Sequence, residues 1–311
     1  MIHDSAAFLA SIHNSGQGKS YVNYFGNDLA LNRRVKLALV ISIIFSVTPG
    51  YSQVDAKAIV AQSIQNYERD WKAAGWNWAY TETDVTQSDD TKQVEVSEVI
   101  PLAGTPFERL VRKDGRPLTA PEQRKEDRKY QKVLRERQKE TPGERAERIR
   151  KYDEERAFVR DVPNAYDFKL VGSEMVDGRP AWVISMTPRM GFEPSAPHGA
   201  VLEHIEGTLW IDKEDVQWAK AEAHVIDTIS IGWILARVGP GTRFTVEQTR
   251  VENGLWMPRR VTISGAAHVM LVYSKSINEE MIWSGYHKDG SFAADTRGND
   301  AVGIGSAKAF R

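Results

Sequence analysis

The stretch EHIEGTLWIDKEDVQWAKAEA, Glu203 to Ala223, alternates with a period of two. Ile205, Leu209 and Ile211 share one side, and Glu206, Thr208 and Trp210 share the other. That is the pattern of a strand with one face against a core. Lys213-Glu214-Asp215 interrupts it, and the alternation resumes with Trp218, Lys220 and Glu222 against Ala219, Ala221 and Ala223. Two alternating runs joined by a short polar turn read as an antiparallel hairpin, Ile205–Asp212 with Val216–Ile226.

The same grammar extends in both directions. Upstream, Asp177-Gly178 joins Phe168–Val176 to Pro180–Thr187, an Asp-Gly pair suited to a tight hairpin turn. Downstream, Asn253-Gly254 joins Thr242–Val251 to Leu255–Ser264, and His268–Tyr273 and Glu280–Tyr286 follow as further strands. Near the start, Trp76, Trp78 and Tyr80 share a strand face; Gln93–Ile100 and Phe107–Lys113 continue it, ending at Asp114-Gly115. Turns roughly every 10 to 15 residues predict a meander of long antiparallel strands. The expected fold class is α+β, mainly antiparallel β.

Two segments break the period. From Gln53 to Ala74 the apolar residues Val54, Ala58, Ala61, Ile64, Tyr67 and Trp71 recur at helical spacing, and Gly75 ends the helix. Between Thr119 and Arg160, Thr119-Ala-Pro-Glu122 and Thr141-Pro-Gly-Glu144 both read as capping boxes with proline at the first helical turn. They open two highly charged helices, with Tyr130, Val133 and Leu134 on one narrow stripe and Ile149, Tyr152 and Phe158 on the other. This pair predicts a helical hairpin (119–160) inserted into the β domain. Its Arg and Lys suit anionic headgroups or an acidic partner, but Glu and Asp interleave so closely that a solvated, ion-paired face accounts for most of them.

Ahead of the domain, Arg33, Arg34 and Lys36 precede the apolar run Leu37–Val47, then Pro49 and the small residues Gly50 and Ser52. Charged, apolar and small-residue regions in that order predict a secretory signal cut between Ser52 and Gln53. The run is shorter than the 20 or so residues that span a bilayer. Residues 1–32 fit such a signal poorly and suggest an over-extended start; their Gly18-Lys19-Ser20 is no phosphate loop, because His13 stands where a glycine is required. The expected organisation is 1–52 extension and signal, 53–286 β domain, and 287–311 a disordered tail of Gly, Ser, Ala and Asp. The expected location is the periplasm.

Composition narrows the chemistry. The chain has no cysteine, so disulfides, thiolate metal sites and acylation of its own N-terminus are excluded. A net charge of −1 provides no field for nucleic acid. His204, His224, His268 and His287 lie in or beside strands without metal-site spacing. Ser195 sits in the loop run Glu193-Pro-Ser-Ala-Pro197 rather than on a nucleophile elbow. The carboxylates cluster in turns and helices, where solvation explains them. No catalytic residue, cofactor or metal is expected, and a binding role is favoured over an enzyme.

The nine Trp stand out, seven of them on expected strands. Aromatic residues favour sheets for packing alone, but an apolar concave surface for a hydrophobic ligand would use them too. The apolar connection Ile229–Ala236, ahead of Gly239-Pro240-Gly241, belongs either against the open side of the sheet or over it as a lid.

The run 203–223, the connection 229–236, Arg243-Phe-Thr-Val-Glu-Gln248 and Gly254-Leu-Trp-Met-Pro-Arg-Arg260 together resemble the outer-membrane lipoprotein-sorting (LolA-like) superfamily over Phe168 to Tyr286. The resemblance implies a curved antiparallel half-barrel with helices on its concave side, enclosing a cavity for lipid or lipoprotein acyl chains. Trp78, Trp182, Ile184, Trp210 and Trp233 are then the cavity-lining candidates. The inserted hairpin departs from the smaller carriers, and relatives of this fold also act as envelope-stress sensors. Two functions follow: a monomeric, non-enzymatic periplasmic carrier that shields acyl chains and touches the membrane peripherally, or an envelope interaction or sensing module whose hairpin meets a protein partner.

Overall fold

The computed structural model describes residues 55–74, 77–88, 91–231, 236–269 and 273–288. The signal, its cleavage point, the tail beyond 288, Trp76 and Trp233 lie outside the described residues.

Helix α1 (Ala56–Ala74) leads into three long strands, β1 (Trp78–Ser88), β2 (Thr91–Leu102) and β3 (Thr105–Lys113), with the short β4 (Arg116–Pro117) paired to β3. Then come α2 (Ala120–Lys139), α3 (Pro142–Glu154), a 3-10 turn (Ala157–Asp161) and α4 (Val162–Ala165). The second run of strands is β5 (Tyr166–Val176), β6 (Arg179–Pro188), β7 (Ile205–Asp212), β8 (Trp218–Val225), β9 (Ile229–Ile231), β10 (Ala236–Val238), β11 (Arg243–Arg250), β12 (Trp256–Val269) and β13 (Tyr273–Lys288).

All pairings are antiparallel, in the order β4-β3-β2-β1-β13-β12-β11-β8-β7-β6-β5, with β10 beside β12 and β9 beside β10. Nearly every neighbour is also a neighbour in sequence; β13 against β1 is the long-range seam, from Trp78 opposite Lys288 to Gln87 opposite Asn278. The result is one open half-barrel sheet with β4 and β5 at its ends.

The hairpin turns follow the sequence. Asp114-Gly115 and Asp177-Gly178 both take two consecutive positive φ values (50° and 76°, 50° and 77°), the turn that matches strand twist. Gly207 is required for a different reason: a Cβ there would stand 2.1 Å from the Glu222 carbonyl of β8. One expected break is absent. Strand β12 runs unbroken through Ser264 to Val269. Gly265 makes this feasible, since any Cβ would meet the Thr242 hydroxyl at 2.4 Å.

The main core lies between α1 and one face of the sheet. Ile184 and Met186 of β6, Ile205, Leu209 and Ile211 of β7, Val225 of β8, Phe244 of β11 and Ile263 of β12 are buried there with Val60 and Ile64 of α1. The buried stripe of α1 is rotated from the one the apolar spacing suggested. Ala56, Val60, Ser63, Ile64, Asn66 and Asp70 are buried, while Ala58 is exposed. Burying Asn66 and Asp70 is feasible because the β7–β8 turn and the Trp256 amide supply hydrogen bonds to them.

Helices α2 and α3 open as their capping sequences require. Glu122 accepts from the Thr119 amide (2.7 Å) and hydroxyl, and Glu144 from the Thr141 amide (2.8 Å), with the Glu144 amide returning a bond to Thr141 Oγ1. Glu126 is the one buried residue of α2, and α3 has none.

Candidate functional site

The sheet face beneath α1 is the candidate site, and β7 shows how it forms. Its odd-numbered residues, Leu209 and Ile211, join the α1 core. Its even-numbered residues, Trp210 and Asp212, point to the outer face beside Ala181 and Val183. The outer face is laced with polar pairs: Arg259 with Glu247 (2.8 Å) and Arg260 with Glu280 (2.7 Å) as ion pairs, and His224 Nε2 3.1 Å from the Glu206 carboxylate. Apart from the small cluster of Ala181, Val183 and Trp210, the apolar surface lies on the inner face.

The main apolar cluster also takes up only one half of that face. Across the β13–β1 seam, Met281 and Trp283 stand opposite Asp84 and Glu82. Trp283 Nε1 donates to the Glu82 carboxylate at 3.1 Å. Beyond it Ser97 donates to Glu108 (2.7 Å), and Lys113 pairs with Glu95 (2.9 Å). The apolar floor therefore runs from β5 to β13, and beyond it the same face keeps the buried Val99 among carboxylates.

The C-terminal half of α1 is latched to the floor by polar groups. Asn66 Nδ2 donates to the carbonyls of Asp215 (3.1 Å) and Val216 (2.8 Å). The buried Asp70 carboxylate accepts from Gln217 Nε2 (3.1 Å), the Trp256 amide (3.4 Å) and Arg69 (2.8 and 3.0 Å). The turn that receives α1 is itself held hard. Asp212 takes two bonds from Arg179 (2.6 and 2.9 Å) and accepts from the amides of Glu214 and Asp215. Asp215 accepts from Trp256 Nε1 (3.0 Å) and pairs with Arg250 and Arg179. Burial pushes the Asp212 carboxyl up, but the guanidinium and amides outweigh it and its pKa lies below the ordinary carboxylate value. At the end of this turn Val216 is held at φ 47°, a costly conformation for a β-branched residue.

Beside this latch, α1 meets the inserted helices through rings. Trp71 stacks on Tyr152 (6.2 Å, 18°) and donates to Asp153 (3.2 Å), and the Arg156 guanidinium lies 3.6 Å from the Trp71 ring centre. Tyr67 packs on Trp218 (5.8 Å).

The four described lining candidates fall in separate places. Ile184 is fully buried in the α1 core, and Trp182, half-buried, packs against that core with Lys213 over its ring. Trp210 lies on the outer face with Ala181 and Val183, donating to Glu174 (2.8 Å) under the Lys220 ammonium. Trp78 sits in a small cluster with Met257 and Tyr286. So the fold brings Trp182 and Ile184 together and leaves Trp78 and Trp210 elsewhere. Asn66, Asp70 and Gln217 were missed by sequence reasoning; polar residues four apart on a buried helix stripe were the available signal.

Ser195 is a loop anchor, its amide 3.0 Å from the buried Asp161 carboxylate and its hydroxyl bonded to the same group. Among the described residues no group of three or more His, Asp or Glu is placed to hold a metal ion. No helix among them is long and apolar enough to cross a membrane.

The chain is structurally similar to LolA superfamily proteins. One such protein, from Nitrosomonas europaea, is 11% identical over 75% of this chain and 93% of its own, with a TM-score of 0.29. An outer membrane lipoprotein-sorting protein domain from Vibrio parahaemolyticus is 9% identical over 78% and 99%, with a TM-score of 0.29. MucB, solved in complex with MucA of Pseudomonas aeruginosa, is 13% identical over 76% and 99%, with a TM-score of 0.22. No family model and no curated protein matches the sequence.

Proposed function

We propose that the chain is a periplasmic, non-enzymatic carrier that shields the acyl chains of lipids or acylated lipoproteins between α1 and the inner face of β5 to β8. The observation that carries this reading is the mismatch between floor and cover. The floor is continuous Ile, Leu, Val and Phe, whereas the covering stripe of α1 includes Ser63, Asn66 and Asp70. The Ser63 hydroxyl is buried with no hydrogen-bond partner. A helix whose covering stripe mixes Val60 and Ile64 with small and polar side chains is replaceable by an acyl chain, worth about 0.8 kcal/mol per buried CH₂. In this reading Trp182 and Ile184 line the site, and Trp78 and Trp210 are not required. The signal at 33–52 supplies export, and the domain acts as a monomer.

The test uses delipidated protein and a diacylated lipopeptide whose chains carry bromine, a contact quencher of indole. Quenching that disappears in the Trp182→Phe/Trp218→Phe variant is expected. Absence of binding, or quenching indifferent to those substitutions, would overturn the reading.

A second reading, an envelope interaction or sensing module, draws on the hairpin, whose two helices bury Glu126 alone. Deleting 119–160 separates the two: a carrier keeps lipid binding, and an interaction module loses its partner while staying folded.

A further inference from the structure

One flank of α1, with Gln65, Glu68 and Lys72 beside the edge of the core residue Ile64, borders a groove of about 870 Å³, bounded on its far side by Arg160 and the start of α4. Its volume lies in the range of small-molecule sites, ~300 to 1,000 Å³. Ile64 and Pro163 contribute apolar surface, and the cations Lys72 and Arg160 stand there beside the carboxylate of Glu68, with Arg69 already paired to Asp70. These cations retain donors. Arg160 engages Glu68 through Nε and Nη2, both at 3.0 Å, leaving Nη1. Arg69 is anchored by Asp70 and Asn66, which holds its exposed guanidinium in place. The Lys72 ammonium has no hydrogen bond or ion pair among the described residues. A groove that joins apolar surface to unspent cationic donors suits a molecule with an apolar segment and an oxyanion head.

We propose that this α1–α4 groove binds the head and first methylenes of a single-chain anionic amphiphile, a carboxylate or a phosphate monoester. The site is separate from the sheet face and does not depend on the carrier reading. Glu68 is the internal competitor: its carboxylate occupies the Arg160 donors that the ligand needs.

Calorimetric titration of the full-length protein with dodecanoate, dodecyl phosphate and the neutral dodecyl maltoside, each below its micelle concentration, tests this. The anionic probes should bind and the neutral one should be about ten-fold weaker, with the difference shrinking at 0.5 M salt. Comparing the two anions tells whether a carboxylate or a phosphate is preferred. Lys72→Glu should weaken binding about ten-fold, and Glu68→Gln should tighten it about three-fold, a gain that misfolding cannot imitate. No anion binding, or equal binding of all three probes with neither substitution having an effect, overturns the proposal. Equal binding of that kind would place the chain under α1 and leave the carrier reading standing.

Discussion

The two halves of the sheet share one backbone pattern and are stabilised by different physics. From β5 to β8, and on through β11 and β12, the inner face is an apolar floor under α1. Across the seam, β1 to β3 carry Glu82, Asp84, Glu95 and Glu108 on strands that pair just as regularly. The α2–α3 hairpin meets this half on the other face, where Phe107 and Arg109 contact Tyr130 and Asp127, and arginines dock it at the β2–β3 turn. Arg137 donates to the carbonyls of Leu102, Thr105 (2.9 Å) and Pro106 (3.2 Å). Arg148 reaches the Ala103 carbonyl (2.8 Å) while paired to Glu140 (2.7 Å). Burial, with Arg148 beside it, pulls the Arg137 guanidinium down to about 10. A ring contact, Phe107 with Tyr130 at 5.4 Å, is the main apolar addition. A sheet ladder therefore does not dictate how its face is covered; the side chains on alternate positions do.

This contrast can be broken by substitution. The largest effect is expected at the apolar floor. Ile184→Ala should cost about 3 kcal/mol, a fall in Tm of roughly 10 °C, and Val85→Ala in the charged half under about 1. Equal losses in thermal melts would dissolve the distinction between the halves.

Next comes the polar turn that receives α1. Arg179→Met leaves the buried Asp212 carboxylate without its cation and should cost about 3 kcal/mol at neutral pH. Because the Asp212 pKa is depressed in the folded chain, its contribution is complete above the ordinary value near 4 and is lost as pH falls through the lower folded value. Stability measured from pH 6 down to pH 2 should thus converge for the two proteins; parallel curves would exclude Asp212 as the source.

The hairpin should respond locally. Arg137→Ala removes charged hydrogen bonds worth about 2 kcal/mol. Hydrogen exchange should rise across 120–154 while β6 and β7 keep their protection. A uniform rise would show that the hairpin and the core unfold as one unit.

The smallest effect has the opposite sign. Ser63→Ala removes a buried, unpartnered hydroxyl from α1 and should stabilise by up to about 1 kcal/mol. If α1 must leave the floor to admit a ligand, the same variant should bind acyl chains more weakly, which ties stability to function in one measurement.

By itself the sequence determined what depends on neighbours along the chain. Period-two alternation marked the strands, Asp114-Gly115 and Asp177-Gly178 marked turns that need positive φ, and two Thr-x-x-Glu boxes marked the starts of α2 and α3. Each works through backbone geometry within a few residues, so local chemistry suffices. The rotation of α1 was decided elsewhere: Asn66 and Asp70 could be buried only because atoms of the β7–β8 turn and of Trp256, far along the chain, satisfy them. The same holds for Trp210, which alternation placed opposite Leu209 and Ile211 without telling which side faced α1. The tertiary structure settled both. Hydrogen-bond satisfaction and burial are properties of who meets whom in space, and a period along the chain carries no record of that.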